Sequence, residues 1–82
     1  MVPDRLKTTR RRLVGTKRTL RALKDGEALV CYLARDAEPK VIEPLRQLCV
    51  ERDLETVYVD SMKQLGRYCG IDVGAAAAAI LK

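Results

Sequence analysis

The sequence contains no histidine, and only three of its 82 residues are cysteines. Histidine is the commonest metal ligand and the commonest general base, so its absence argues against a metal site and against acid–base catalysis. Cys31, Cys49 and Cys69 are widely spaced and form no CxxC pair, which argues against a zinc site and against a disulfide framework. We therefore expect a protein of a reducing compartment, with no metal, no cofactor and no enzymatic activity.

Long apolar segments are also absent. No apolar run approaches the roughly 18 residues that a membrane-spanning helix needs, and the N-terminus lacks the apolar core of a signal peptide. We expect a cytoplasmic protein without a membrane partner. No repeat or linker divides the chain, so residues 1–82 predict a single domain with one small core. We expect this domain to act as a monomer.

Positive charge is abundant and unevenly placed. Sixteen Lys and Arg residues against eleven Asp and Glu residues give a formal net charge of +5. Every charged residue from Arg5 to Lys24 is basic, whereas the chain from Asp25 onward carries both signs. This distribution predicts an anion-binding first third joined to a nearly neutral scaffold.

A short helix is predicted at the beginning of this basic third. Pro3 and Asp4 suit a first helical turn, and the helix runs through about Arg11. Leu6 and Leu13 are its expected apolar anchors.

A second helix is predicted to follow, with Thr16 as its N-cap, and to run to about Asp25 and end at Gly26. One face of this helix is apolar and the opposite face is basic. The apolar positions are Leu20, Ala22 and Leu23, and the basic positions are Lys17, Arg18, Arg21 and Lys24.

Strands and helices are predicted to alternate in the remainder of the chain. Residues 28–34 form a continuous apolar run, which predicts a strand that is buried on both faces between helices. Residues 36–39 signal a helix start, and the helix becomes regular near Pro44 and runs to about Arg52. Residues 56–59 predict another strand.

The last third begins with a capped helix. Ser61 is predicted to cap a helix at residues 62–68. Gly66, Gly70 and Gly74 are expected to bracket a loop that follows.

The final segment is compatible with two structures. Residues 75–79 are all alanine and have the best helix propensity in the chain, whereas residues 73–81 supply the apolar length of an interior strand. Composition alone favours the helix. The order of elements predicts an α/β domain with helices on both faces of the sheet.

The start of the second helix is a candidate anion site. The helix dipole is positive there, so Lys17 and Arg18 each cost about 0.3–1 kcal/mol unless an anion offsets them. Gly15 ahead of such a helix start is typical of sites for phosphate groups or electronegative base edges. Arg18 can also make a two-pronged contact with guanine O6 and N7. On charge alone, a basic face that merely solubilises the helix is an equal alternative.

Three segments of the chain resemble the family of ribosomal proteins that binds kink-turns in RNA. They are residues 15–23 (GTKRTLRAL), 34–39 (ARDAEP) and 65–76 (LGRYCGIDVGAA), in the family's order and spacing. The resemblance implies a three-layer α/β/α sandwich around a mixed four-stranded sheet, with the final segment as a strand. It also implies binding to a sharply bent RNA stem with tandem sheared G·A pairs and an extruded nucleotide.

The resemblance also implies which side chains face the RNA. Lys17 and Arg18 stand where the family has Asn and Glu, and Arg21 stands where it has Lys. Arg18 lacks the carboxylate that accepts guanine N–H groups, which favours phosphate contacts, and Met62 stands where many members have Lys. Residues 71–73 would cover the extruded nucleotide. The complete predicted RNA-binding set is Gly15, Thr16, Lys17, Arg18, Arg21, Lys24, Arg35, Ile71, Asp72, Val73 and Gly74.

The implied partner is a kink-turn in ribosomal RNA or in a regulatory RNA, and the ribosome is one setting for it. The alternative hypothesis is a protein-interaction or ribosome-assembly module that does not recognise RNA structure, because one fold serves many functions.

Overall fold

A computed structural model of the protein describes residue 6 and residues 8–82. Four strands and three helices alternate from Arg12 to Leu81. The strands are β1 (Arg12–Val14), β2 (Ala28–Ala34), β3 (Glu55–Val59) and β4 (Ala77–Leu81). The helices are α1 (Thr16–Lys24), α2 (Pro39–Glu51) and α3 (Met62–Tyr68).

The four strands form one mixed sheet in the order β1-β4-β2-β3. Strand β2 pairs with β3 in parallel, and β4 is antiparallel to both of its neighbours, β1 and β2. The mixed four-stranded sheet expected from the resemblance is therefore confirmed.

Helices cover both faces of this sheet. One face packs against α1 and α2, and its core residues are Ala22, Leu23, Ala28, Cys31, Leu33, Leu45, Cys49, Ala77 and Ala79. The other face packs against α3, and its core residues include Leu6, Val30, Tyr32, Ala34, Val59, Leu65, Cys69, Ala78 and Ile80. The two cores and the sheet between them make the three-layer α/β/α sandwich.

The alanine run leads into and forms part of strand β4, as the resemblance implied, so the helix that composition favoured there was wrong. Ala77, Ala78 and Ala79 are fully buried in the middle of the sheet. The helix preference of alanine over most residues is at most about 0.7 kcal/mol per residue, whereas β4 gains two hydrogen-bonded neighbours and burial on both faces. The small side chains let helices approach the strand from both sides.

The first described strand corrects the prediction of a helix through Arg11. Leu6 and Thr8 are helical, but Arg12 begins β1, and Leu13 pairs with Ala79 of β4 instead of anchoring a helix. A strand of three residues is too short for its pattern to show in the sequence. Pro3 and Asp4, the predicted helix start, lie outside the described residues.

Helix α1 begins one residue earlier than predicted, because the residue predicted as its N-cap is already helical. Gly15 occupies the N-cap position, and Thr16 is already the first helical residue. Ala22 and Leu23 are buried as predicted, but Thr19 is fully buried where Leu20 is only half-buried.

Two further boundaries also differ from the predictions. Helix α2 begins at Pro39, where a first turn does not need the missing N–H, and Pro44 lies inside the helix. Gly66 lies buried within α3, not at the edge of a loop. The predicted cap of α3 is confirmed, because the Ser61 side chain accepts a hydrogen bond of 3.0 Å from the Gln64 amide.

Candidate nucleic-acid interface

The topology gathers four loops at one end of the sheet, which we call the loop end. Strands β1, β2 and β3 end there, and β4, which runs antiparallel to β1 and β2, begins there. The loop end therefore consists of Gly15, residues 35–38, residues 60–61 and residues 70–76. All but two of the predicted RNA-binding residues lie in these loops or in the first turn of α1.

Gly15 turns the chain from β1 directly into α1. Its backbone has φ 113° and ψ 150°, a conformation that is essentially restricted to glycine. Its amide donates to the Ala77 carbonyl (2.9 Å), and its carbonyl accepts from the Thr19 amide (3.0 Å). The first turn of α1 is consequently fixed beside the start of β4.

The first turn of α1 has the electrostatic character of an anion site. Gly15 has no side chain to cap its amides, and the turn contains no acidic residue. Lys17 and Arg18 are exposed in this turn, where the helix dipole is positive. Arg18 and Arg21 line a groove beside α1, and the acidic Asp25 and Glu27 line it as well. An anion at this position would be stabilised by the backbone amides of the first turn and by the Lys17 and Arg18 side chains.

Arg21 and Lys24 lie farther along α1. Arg21 is exposed about one turn beyond the helix start. Lys24 lies roughly 12 Å along the axis from Thr16, at the end of the molecule opposite the loop end. Its carbonyl accepts a hydrogen bond of 3.1 Å from Arg52, which follows the C-terminus of α2. Lys24 thus lies farther from the loop end than the other predicted RNA-binding residues do.

The loop of residues 71–74 presents a mixed apolar and acidic surface. Ile71 is half-buried and packs against the core on the α3 side, whereas Asp72 is exposed. Val73 is 70% exposed, an unusual setting for an aliphatic side chain. Ile71 therefore anchors the loop and Val73 offers its apolar contact surface.

Gly66 and Gly74 allow this loop to lie directly on α3. A Cβ atom on Gly66 would stand 2.1 Å from the Val73 carbonyl oxygen, and one on Gly74 would stand 3.2 Å from the Met62 Cβ. The Ile71 amide donates to the Gly66 carbonyl, and the Ala75 amide donates to the Met62 carbonyl, each at 3.0 Å. The importance of Gly66 was missed from the sequence, although a glycine between good helix formers was a signal of close backbone approach.

Two residues of the loop after β2 complete this end of the molecule. The Asp36 carboxylate accepts a hydrogen bond of 2.7 Å from the Met62 amide and so ties this loop to the start of α3. The Arg35 side chain is exposed, and its guanidinium carbon lies 5.3 Å from the centroid of the Tyr58 ring. Sequence reasoning had not selected Asp36 or Tyr58 for the site.

Cysteines and acidic residues are the remaining groups that bind metals or act as nucleophiles. The three cysteines are free and buried. A hydrogen bond to Cys49 and burial raise the pKa of the Cys31 thiol, and burial raises the pKa of the Cys69 thiol. Among the residues that the structure describes, no group of His, Cys, Asp and Glu residues could hold a metal ion, and no helix has the length and apolar character needed to cross a membrane.

The fold and this surface define a small α/β/α domain that carries a basic helix start and an aliphatic loop at the same end of its sheet. The chain belongs to the ribosomal protein L7Ae/L30e/S12e/Gadd45 family, which matches residues 2–82. The family resemblance of the three sequence segments is thereby confirmed.

Individual relatives match over most of their length. RNA-binding protein YbxF of Geobacillus stearothermophilus is 49% identical over 70 residues, which are 85% of either chain. A protein of Caldanaerobacter subterraneus subsp. tengcongensis, also named as an RNA-binding protein, is 48% identical over 69 residues, which are 84% of either chain.

Solved structures share the fold. The Giardia lamblia 15.5 kD RNA binding protein superposes with a TM-score of 0.85 at 25% identity, and the match covers 96% of this chain and 67% of that chain. A protein of unknown function from Bacillus halodurans superposes with a TM-score of 0.81 at 19% identity, over 94% of this chain and 77% of that chain.

Proposed function

We propose that this chain binds RNA at its loop end and that the RNA it recognises is a kink-turn. One observation carries the proposal. The Gly15 amide donates a hydrogen bond to the Ala77 carbonyl, so the basic start of α1 lies beside the strand into which the loop of residues 70–76 leads. A bent RNA offers phosphates and an unstacked nucleotide side by side, and this surface has a matching group for each.

The first turn of α1 binds the backbone and base edges of the RNA. Its amides and Lys17 attract phosphate oxygens, and Arg18 is able to fork onto guanine O6 and N7. Arg21, one turn farther on, adds a second cation beside Arg18 in the groove that Asp25 and Glu27 also line. Since Arg18 cannot accept hydrogen bonds, the binding energy depends more on phosphates than it would with a carboxylate at this position.

The loop of residues 71–74 binds the extruded nucleotide. Val73 supplies exposed apolar surface, and Ile71 holds the loop on the core. Gly74 keeps the backbone close to α3, and Asp72 is exposed beside the apolar contact. Two relatives that are named as RNA-binding proteins and are nearly half identical to the chain support RNA binding as such.

We further propose that the protein acts as a cytoplasmic monomer on ribosomal or regulatory RNA. Both parts of the loop end belong to one copy of the chain, so a second copy is not needed to complete the surface. The role is binding and requires no catalytic step.

A gel-shift titration tests the proposal. The protein is titrated against a kink-turn stem and a straight duplex of the same length and charge, each at about 50 and 200 mM salt. We expect tighter binding to the kink-turn at both salt concentrations, because only the bent RNA meets the loop of residues 71–74. Equal affinity for the two RNAs would refute kink-turn recognition, and undetectable binding to both would refute RNA binding.

A further inference from the structure

Arg35 and Tyr58 form a stacked pair on the surface. The Arg35 guanidinium carbon lies 5.3 Å from the ring centroid, a distance at which a cation is attracted to the ring face. Tyr58 lies on edge strand β3 and is 40% exposed, and the Arg35 side chain is 63% exposed. The pair is therefore accessible to a partner.

The ion pair that Arg35 makes is weak. The nearest carboxylate to Arg35 among its ion pairs is that of Asp60, whose Oδ1 lies 3.8 Å from the Arg35 Nε. This separation exceeds hydrogen-bond length, and exposed ion pairs of this kind contribute little to stability. The ion pair leaves the guanidinium N–H groups available, while the ring beneath limits the orientations that the guanidinium adopts.

The backbone hydrogen bonds place Arg35 close to the first turn of α1. At the start of β4, the Ala77 carbonyl accepts from the Gly15 amide and the preceding carbonyl, that of Ala76, accepts from the Ala34 amide. Gly15 and Ala34 therefore flank the same strand, two strand spacings apart, which is roughly 10 Å. At a helical rise of roughly 3.4 Å per nucleotide, about three nucleotides span this distance.

We propose that Arg35, held by Tyr58, is a second phosphate contact for the RNA bound at the loop end. The phosphate belongs to the RNA strand that continues past the first turn of α1 across the ends of β4 and β2. Arg35 touches the RNA, Tyr58 acts as a positioning residue for it, and the Asp60 carboxylate opposes the approach of the phosphate. This inference rests on the proposed function and extends its surface to β3.

Salt-dependent titration of five variants with the kink-turn stem tests the assignment. Arg35→Gln is expected to lower the slope of log affinity against log salt by about 0.9, the value for one lost phosphate contact. Its loss of affinity is then about threefold greater at 50 mM than at 200 mM salt, because a fourfold salt change acts on that one contact. Tyr58→Leu is expected to weaken binding less than Arg35→Gln, and Tyr58→Phe, which keeps the ring, is expected to bind like the wild type. Asp60→Asn is expected to strengthen binding.

Arg52→Gln is the matched control. It removes the same charge at the opposite end of the molecule, where Arg52 contacts the Lys24 carbonyl. A lower slope for Arg35→Gln but not for Arg52→Gln supports a local contact. Equal slopes for Arg35→Gln and the wild type would overturn the inference, as would equal changes in both arginine variants, which indicate net charge alone.

The wild-type titration separates this inference from the proposed function. Wild-type protein that prefers the kink-turn, combined with an unchanged slope for Arg35→Gln, overturns only the second contact. Wild-type protein that binds the kink-turn and the straight duplex equally overturns the proposed function itself. Thermal unfolding of Tyr58→Leu and Tyr58→Phe ensures that the compared proteins are folded at the assay temperature.

Discussion

Replacing Gly66 with alanine tests how the apolar half of the proposed interface is held in place. The new Cβ would stand 2.1 Å from the Val73 carbonyl oxygen. Ordinary contact distances begin near 3.4 Å, so Val73 must move by about 1 Å, because helix α3 is packed against the core and cannot retreat.

The structure allows the cost of Gly66→Ala to be worked out. Overpacking costs about 1–3 kcal/mol, and alanine regains roughly 0.5–1 kcal/mol over glycine in a helix. We expect a net loss of about 1–2 kcal/mol in the free energy of unfolding, which lowers Tm by roughly 5–15 °C in a domain of this size. The fold should survive this loss, since the affected loop lies at the surface.

Kink-turn binding should fall with the displaced loop. Losing the Val73 contact is expected to cost about 1–2 kcal/mol, or roughly 5–30-fold in Kd. The salt slope should not change, because no charge is altered. Gel-shift titration at two salt concentrations and circular dichroism melting measure these effects, and Gln64→Ala in the same helix is the control. A Gly66→Ala protein with wild-type Tm and Kd would refute the reasoning that this glycine seats the loop.

The remaining predictions concern the basic helix and the backbone around it. Arg18→Ala and Arg21→Ala should each weaken kink-turn binding by about 1–3 kcal/mol. Lys24→Ala should weaken binding less, because Lys24 lies at the far end of α1. Equal losses for the three variants in a gel-shift titration would indicate diffuse electrostatics. Gly15→Ala should lower the free energy of unfolding by about 1–3 kcal/mol, because the φ and ψ of Gly15 strain any other residue. Nothing lies within 4 Å of the new Cβ, so the cost comes from the backbone and not from a clash. An unchanged midpoint of urea unfolding would contradict this. Asp36→Ala should destabilise the protein by about 0.5–1.5 kcal/mol, because it removes the acceptor of the hydrogen bond from the Met62 amide. Asp36→Asn should destabilise it less, and thermal unfolding measures both effects. Equal Tm values for both variants and the wild type would exclude a stabilising role.

Residues whose local chemistry agrees with the final structure were predictable from the sequence. The apolar run of residues 28–34 predicted a strand covered on both faces, and every residue of β2 except Leu29 is buried. Ser61 predicted the start of α3 because a serine hydroxyl can accept a hydrogen bond from an otherwise unpaired amide in the first turn of a helix, as it does from the Gln64 amide. The region of residues 71–74 was placed beside the start of α1 only through the family resemblance, since no local pattern specifies contact between distant segments.

Features that depend on partners distant in the chain were not predictable. Strand β1 exists because β4 pairs with it, and its three residues carry no recognisable period. Strand β4 has the local preference of a helix and is a strand only because the sheet surrounds it. Gly66 was predicted at a loop boundary, because the sequence does not show that the backbone of Val73 lies against α3 at this residue. A Cβ on Gly66 would stand 2.1 Å from the Val73 carbonyl oxygen.

The central position of β4 determines when the interface comes into existence. β1 is joined to the sheet by β4 alone, and the pairing of Arg12 with Ile80 closes nearly the whole described chain into one loop. Such long-range closure is entropically slow, so this step is expected to come late in folding. Without residues 77–81, no strand would join β1 to the β2–β3 pair. The proposed RNA-binding surface is therefore expected to form only after β4 has joined the sheet.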